Sequence, residues 1–228
     1  MMIYNTEKAI KRITEAEKIC RKSMGLLGNE ADFSIYKQEK SKFNVYKFTT
    51  NVMIFGKLKS LISRFHTLIF HCEYFNKNIK IQNIGEIDFP DDFVDYIFIS
   101  QLTDSLRSTL DLYSIFVMSF FNSKKSESIS FSFKSFIKPM NKYSETIHIE
   151  TNNYYKKYTK SISKEIRDRD RHLGFDQFSV NSKLNNDTTS FMINRNNYPK
   201  LSEVLNDTYN FIDDFISLFE KTIQELCK

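Results

Sequence analysis

Six consecutive residues, Arg167-Asp168-Arg169-Asp170-Arg171-His172, hold five formal charges and a histidine. Arginine is a permanent cation with a planar fork of donors, and histidine exchanges a proton near neutral pH. Those types side by side suit proton transfer next to a bound anion. On a helical wheel of about 100° per residue centred on Ile166, Arg167 falls at about 100° and His172 at about 240°. Asp168 and Arg171 lie between them, so the cluster occupies a polar face and points away from its own protomer's core. A solvated helix end accounts for the alternation of Arg and Asp. It gives no reason for a histidine to close the run.

Competing chemistries are few. The sequence contains no Gly-rich phosphate loop, nucleophilic triad or carboxylate–histidine metal motif, so neither a metal nor another cofactor is expected. His66 and His71 are five residues apart, whereas metal-binding pairs on a helix prefer three or four, and His148 is isolated; all three read as structural. Cys20, Cys72 and Cys227 are far apart in sequence and lie in apolar segments, which predicts buried free thiols in a reducing cytoplasm. Arg107 and Asp111, spaced i, i+4, either pair with each other or support the charged cluster. Tyr154, Tyr155 and Tyr158 could stack nucleic-acid bases, but their helical spacing fits a core better.

Charge is unevenly distributed over the 228 residues, whose net formal charge is +5. Seven acids and one base lie between Glu86 and Asp111, and six acids against two lysines from Glu203 onward. Between Asn122 and His172 there are twelve Lys or Arg and six acids. A basic segment among acidic helices is an electrostatic footprint for a polyanion, or else a set of solvated faces.

The elements that must position the cluster are helical. Only five Gly and three Pro interrupt the chain. Thr6 caps a first helix carrying Ala9, Ile10, Ile13, Ala16, Cys20 and Met24 at i, i+3/i+4 spacing. "FNVYKFTTNVMIF" could open as a short strand, with a helix from about Val52. Pro90 and Asp91 introduce a helix with the stripe Val94, Ile97/Phe98, Leu102, Leu106, Leu110, Tyr113, Phe116/Val117 and Phe120. A serine-rich linker with a short helix before Pro139 follows. One long helix is then predicted from about Asn141 to Arg171. Residues 174–198 lose that periodicity and read as a β-hairpin or a long ordered loop. A last helix follows Pro199, with Leu201, Val204/Leu205, Thr208, Phe211/Ile212, Phe215, Leu218/Phe219 and Leu226 as its stripe. The expected fold is all-α: an up-and-down bundle of four to five long helices forming one domain over 1–228, with a helical part of unassigned role over 1–80. No run of about 18 apolar residues and no leader-like segment is present, so a cytoplasmic protein without membrane contact is expected.

With those elements in place, Arg167 to His172 resembles the R-x4-H motif of HEPN domains, in which Asn, Asp or His typically follows the arginine, as Asp168 does here. HEPN proteins are helical bundles with the motif on a late helix. "DSLRSTLDLYSIF", Asp104–Phe116, is similar to an earlier core helix of bacterial HEPN proteins. The resemblance spans Phe89 to Leu226 and leaves the first 80 residues unmatched. It implies a metal-independent endoribonuclease acting as a homodimer, with two motif copies across one groove. His172 would accept the proton of a ribose 2′-OH, and Arg167 would meet the charge that builds on phosphorus. Asp168 would orient one of them, while Arg169, Arg171 and Lys164 would bind neighbouring RNA phosphates. Such enzymes often serve as toxins or phage-defence effectors held silent by an antitoxin or regulatory protein. The alternative is a non-catalytic helical module of the same fold that binds RNA or a partner protein, with the motif as a salt-bridged interface.

Overall fold

The computed structural model describes residues 3–27, 30–37, 43–78, 86–88, 93–122, 132–164, 180–181, 192–194 and 201–228. Most of these are helical. Helix α1, Thr6–Ser23, is capped not by Thr6 but by Asn5, whose side chain accepts from the Lys8 amide at 3.0 Å. Its apolar repeat buries Ala9, Ile13, Ala16 and Cys20, while Ile10, expected in the same stripe, stands 42% exposed. Gly25 ends the helix at φ +70°, a left-handed conformation that costs glycine little. The chain then forms a short antiparallel pair, β1 (Leu26–Leu27) and β2 (Glu30–Ala31), and a 3-10 turn over Phe33–Tyr36. The Tyr36 hydroxyl donates back to the Met24 carbonyl and closes this turn onto the end of α1.

Helix α2 runs Val45–Asn78, so the strand expected before Val52 is absent. Asn44 explains the early start, because its side chain accepts from the Lys47 amide at 2.9 Å and caps the first turn. Residues with good strand propensity are thereby drawn into a helix, a case of local capping overriding propensity. Helix α3, Phe93–Phe121, packs along α2. Of the stripe read from the sequence it buries Leu102, Leu106, Leu110, Tyr113, Phe116 and Val117, while Phe120 is half-buried against the same core. Helix α4, Phe133–Met140, starts with a capping box between Ser132 and Ser135. Helix α5 covers Glu145–Tyr158 and α6 covers Leu201–Leu226.

One apolar cluster draws on all six of these helices, so α1 and α2 share a core with the rest of the described chain. Helix α6 packs against α1, α3 and α5. At the centre, the Phe215 ring of α6 lies 4.9 Å from Phe65 of α2, 5.5 Å from Tyr113 of α3 and 5.7 Å from Tyr154 of α5. These are the centroid spacings at which tilted and edge-on ring pairs add to area burial. The helical expectation therefore holds at the level of class.

Within the stretch expected to form a hairpin or loop, β4 (Val180–Asn181) and β5 (Met192–Asn194) pair antiparallel. A third strand, β3 (Glu86–Asp88), pairs antiparallel with β5 on its other side, Ile87 opposite Ile193. The connection before α3 and the segment before α6 thus meet. No helix of the described residues is long and apolar enough to cross a membrane.

Candidate functional site

Arg167, Asp168, Arg169, Arg171 and His172 lie outside the described residues, which run to Lys164 on the approach to them. The approach corrects one expectation. The single helix predicted from Asn141 to Arg171 is broken: α5 stops at Tyr158, and helix resumes only at 162–164. Ser161 is the cause. Its amide bonds to the Tyr158 carbonyl at 3.1 Å, an i to i−3 closure that tightens the last turn. Its hydroxyl donates to the same carbonyl at 2.7 Å and accepts from the Lys164 amide at 3.1 Å. One side chain therefore terminates one helix and caps the next turn, the competition with backbone bonding for which serine is disfavoured inside helices. The helical phase that Tyr154 and Tyr158 set does not carry across this break.

The new turn is bolted to α6. Asp207 accepts from the Ser163 amide at 3.0 Å and from its hydroxyl at 2.7 Å. The Ser163 hydroxyl also lies 2.6 Å from Thr208 Oγ1, and both of these side chains are buried. A carboxylate bonded to an amide at the start of a helical turn favours both the hydrogen-bond inventory and the local dipole. Lys164, half-buried, follows directly. Sequence reasoning missed Ser163, Asp207 and Thr208, because their meeting is a contact over 44 residues with no local pattern to announce it.

Arg107 and Asp111 form the expected i, i+4 pair on α3, Nη2 to Oδ1 at 3.2 Å. The same Asp111 oxygen accepts from the Phe133 amide at 2.8 Å, so the pair holds the start of α4. Tyr154 and Tyr158 are core residues. The Tyr154 hydroxyl donates to the Phe211 carbonyl at 3.2 Å, and burial pushes its pKa well above the usual phenol value. Tyr155 is half-buried, its ring 5.8 Å from that of Phe133. Among the histidines, His66 is exposed on α2. His71 is buried with Nδ1 3.4 Å from Ser105 Oγ, and burial lowers its pKa. His148 Nδ1 lies 2.9 Å from the Ile137 carbonyl and ties α5 to α4. Among the described residues no group of three or more His, Cys, Asp or Glu side chains could hold a metal ion.

The basic segment is a surface. Lys134, Lys138, Lys142, Lys156 and Lys160 are exposed along α4, α5 and their connections. Lys157 is partly spoken for by Asp214 of α6 at 3.1 Å. No family model, no curated protein and no solved structure matches the chain.

Proposed function

We propose that the chain is a metal-independent endoribonuclease of the HEPN type. The observation that carries this reading is the run Arg167-Asp168-Arg169-Asp170-Arg171-His172, an R-x4-H with an acidic residue after its arginine. Its support is positional: the chain reaches Arg167 four residues after Ser163, which Asp207 and Thr208 fix to α6. The exposed lysines of α4 and α5 precede it and offer phosphate contacts. In this reading the helices form an up-and-down bundle over 1–228, and two protomers set their motifs across one groove. His172 takes the proton from the 2′-OH, the 2′-oxygen attacks phosphorus, and the 5′-oxygen departs. Arg167 meets the negative charge that accumulates on the phosphorane. Asp168 orients one of these two groups, while Arg169, Arg171 and Lys164 hold neighbouring phosphates. The products are a 2′,3′-cyclic phosphate and a 5′-OH, so DNA is not cut. A cytoplasmic toxin or defence effector, silenced by an antitoxin or regulatory protein, is the role this chemistry fits.

One observation favours a second reading. Asp168 and Asp170 alternate with the arginines and can pair with them, leaving a non-catalytic module that binds RNA or a partner protein. Incubating the protein with a mixed RNA pool in EDTA, beside His172→Ala, separates the two. Cleavage by the wild type alone, with cyclic phosphate ends, is the expected result. Equal cleavage by both proteins, or binding without cleavage, would remove His172 as the catalyst and leave the binding module.

A further inference from the structure

The outward face of α2 is open to solvent over about seven turns, from Val45 to Phe70. Val45, Val52, Met53 and Phe70 stand on it, large apolar side chains in water, Phe70 60% exposed. Between them the face is shallow, because Gly56, Ser60, Ser63 and Thr67 follow one another at four- and three-residue spacing. Single exposed apolar residues are ordinary, but these share one stripe of one helix.

Gly56 has no reason inside this chain. It turns no corner in the middle of a 34-residue helix, and its φ is not left-handed. A Cβ built on it would meet nothing within 4 Å. Glycine inside a helix is unfavourable relative to alanine, because it gives up more backbone entropy. A glycine kept where alanine would fit freely leaves room for something outside the chain. The hydroxyls around it agree. Thr49 Oγ1 donates to the Val45 carbonyl at 2.9 Å, Ser60 Oγ to the Gly56 carbonyl at 3.2 Å and Thr67 Oγ1 to the Ser63 carbonyl at 3.1 Å. With their protons already placed on their own helix, these groups can be covered without stranding a donor.

Charge narrows the occupant. From Val45 to Cys72 the helix carries Lys47, Lys57, Lys59 and Arg64 and no acid. At about 100° per residue from Gly56, Lys57 and Arg64 border one side of the stripe and Lys59 the other. Lys59 meets Glu17 of α1 at 2.8 Å, which offsets part of the charge on its side. Arg64 is exposed, and no ion pair is seen for it among the described residues. A second copy of the chain would set base against base. A lipid surface would gain little from the middle turns, whose Gly, Ser and Thr residues insert no bulk. A helix suits both features: its backbone can approach closely over Gly56 to Thr67, and acids at its margins can meet Lys57 and Arg64.

We propose that this face docks an acidic amphipathic helix of a partner protein, laid along α2 with its closest approach at Gly56. The apolar side of that helix covers Val52, Met53 and Phe70, and its carboxylates line the side of the stripe that Lys57 and Arg64 border. This inference does not rest on the RNA chemistry proposed above.

The test selects binders of the full chain from a displayed library of helical peptides about 25 residues long, enough to follow the stripe from end to end. The library varies small and apolar residues on one face and allows acids and bases equally at its margins. Selection should enrich acidic margins. Gly56→Trp and Arg64→Glu should each weaken the best synthetic peptide at least about tenfold, and a version with Lys for Glu should regain affinity for Arg64→Glu. Both variants should keep the circular dichroism of the wild type, and Gly56→Ala should raise the melting temperature by about 2–4 °C. A lower melting temperature for Gly56→Ala would give the glycine an internal role and overturn the proposal. An empty selection, a pool without acidic bias, or a selected peptide indifferent to both Gly56→Trp and Arg64→Glu would do the same. Binding to phosphatidylserine vesicles that Arg64→Glu abolishes would make lipid the occupant, and a dimer in sedimentation that Gly56→Trp dissociates would make it a second copy; either result overturns the partner helix.

Discussion

Asp207→Ala removes the acceptor that holds the turn leading to Arg167. Its carboxylate takes two bonds from Ser163, the amide at 3.0 Å and the hydroxyl at 2.7 Å. The two losses differ in consequence. The hydroxyl keeps a partner in Thr208 Oγ1 at 2.6 Å, so it is not stranded. The Ser163 amide, in a buried residue at the start of a helical turn, keeps none of the strength of a charged acceptor. An orphaned buried donor costs about 1–3 kcal/mol, and hydrogen bonds to a charged group are worth about 1.5–3 kcal/mol. We therefore expect Asp207→Ala to lose about 2–3 kcal/mol, and Asp207→Asn, which keeps an oxygen but not the charge, about 1 kcal/mol. For a chain of this size that loss lowers the melting temperature by about 5–10 °C.

Urea unfolding followed by circular dichroism gives the number, with an unchanged m-value showing that stability and not compactness has moved. A double-mutant cycle with Ser163→Ala isolates the contact, and the two changes should be non-additive by about 1 kcal/mol or more. Additive effects, or an Asp207→Ala loss below about 0.5 kcal/mol, would mean that this turn is not fixed to α6 as described. Under the proposed ribonuclease activity the same variant, assayed where it is folded, should also cleave RNA at least about tenfold more slowly, because small misplacements of reacting groups are costly.

Phe215→Ala should cost about 3–5 kcal/mol, measured by denaturant unfolding, since its ring meets those of Phe65, Tyr113 and Tyr154 in a fully buried position. Gly25→Ala should cost about 1–3 kcal/mol in the same assay, because a Cβ at φ +70° would lie 2.9 Å from the Asp32 carbonyl oxygen. Asp111→Ala should lose about 1–2 kcal/mol, most of it from the Phe133 amide at the start of α4, whereas Arg107→Gln, which spares that bond, should lose less than half as much. Burial lowers the His71 pKa, so the unfolded chain binds the proton more tightly and this residue's share of stability falls as pH drops below about 6.5. His71→Gln should flatten the difference between unfolding midpoints at pH 7.5 and 5.5, and an unchanged pH slope would exclude the residue as its source.

The helices were legible where burial imposes a period. The spacing of Leu102, Leu106, Leu110 and Tyr113 on α3, and of Val204, Phe211, Phe215 and Phe219 on α6, follows from having one buried face. The ends were less legible, because they turn on single side chains whose partners are a few residues away. Asn44 starts α2 seven residues or more before the apolar pattern announces it, and Ser161 interrupts a pattern that otherwise reads as continuous. The β3–β5 pairing and the Ser23–Cys227 contact join segments remote in sequence, and one-dimensional periodicity carries nothing about such meetings.

The charge asymmetry shows how the candidate site and the fold share one signal. An acidic last helix and a basic central segment look, in sequence, like a footprint for a polyanion. In the fold the two elements lie side by side, and part of the asymmetry is complementarity: Lys157 of α5 meets Asp214 of α6 at 3.1 Å, and Lys221 of α6 meets Glu150 of α5 at 2.9 Å. Both pairs are exposed enough to be worth little each, so they set the register of α5 on α6 more than its stability. That register matters, because α5 leads into the turn whose Ser163 is fixed to α6 by Asp207 and Thr208. Among the described residues no ion pair is seen for Lys134, Lys138 and Lys142 before α5 or for Lys156 and Lys160 at its end, so these exposed lysines are the surplus of positive charge. The acids of α6 thus offset part of the positive charge of α5 and leave that of α4 exposed.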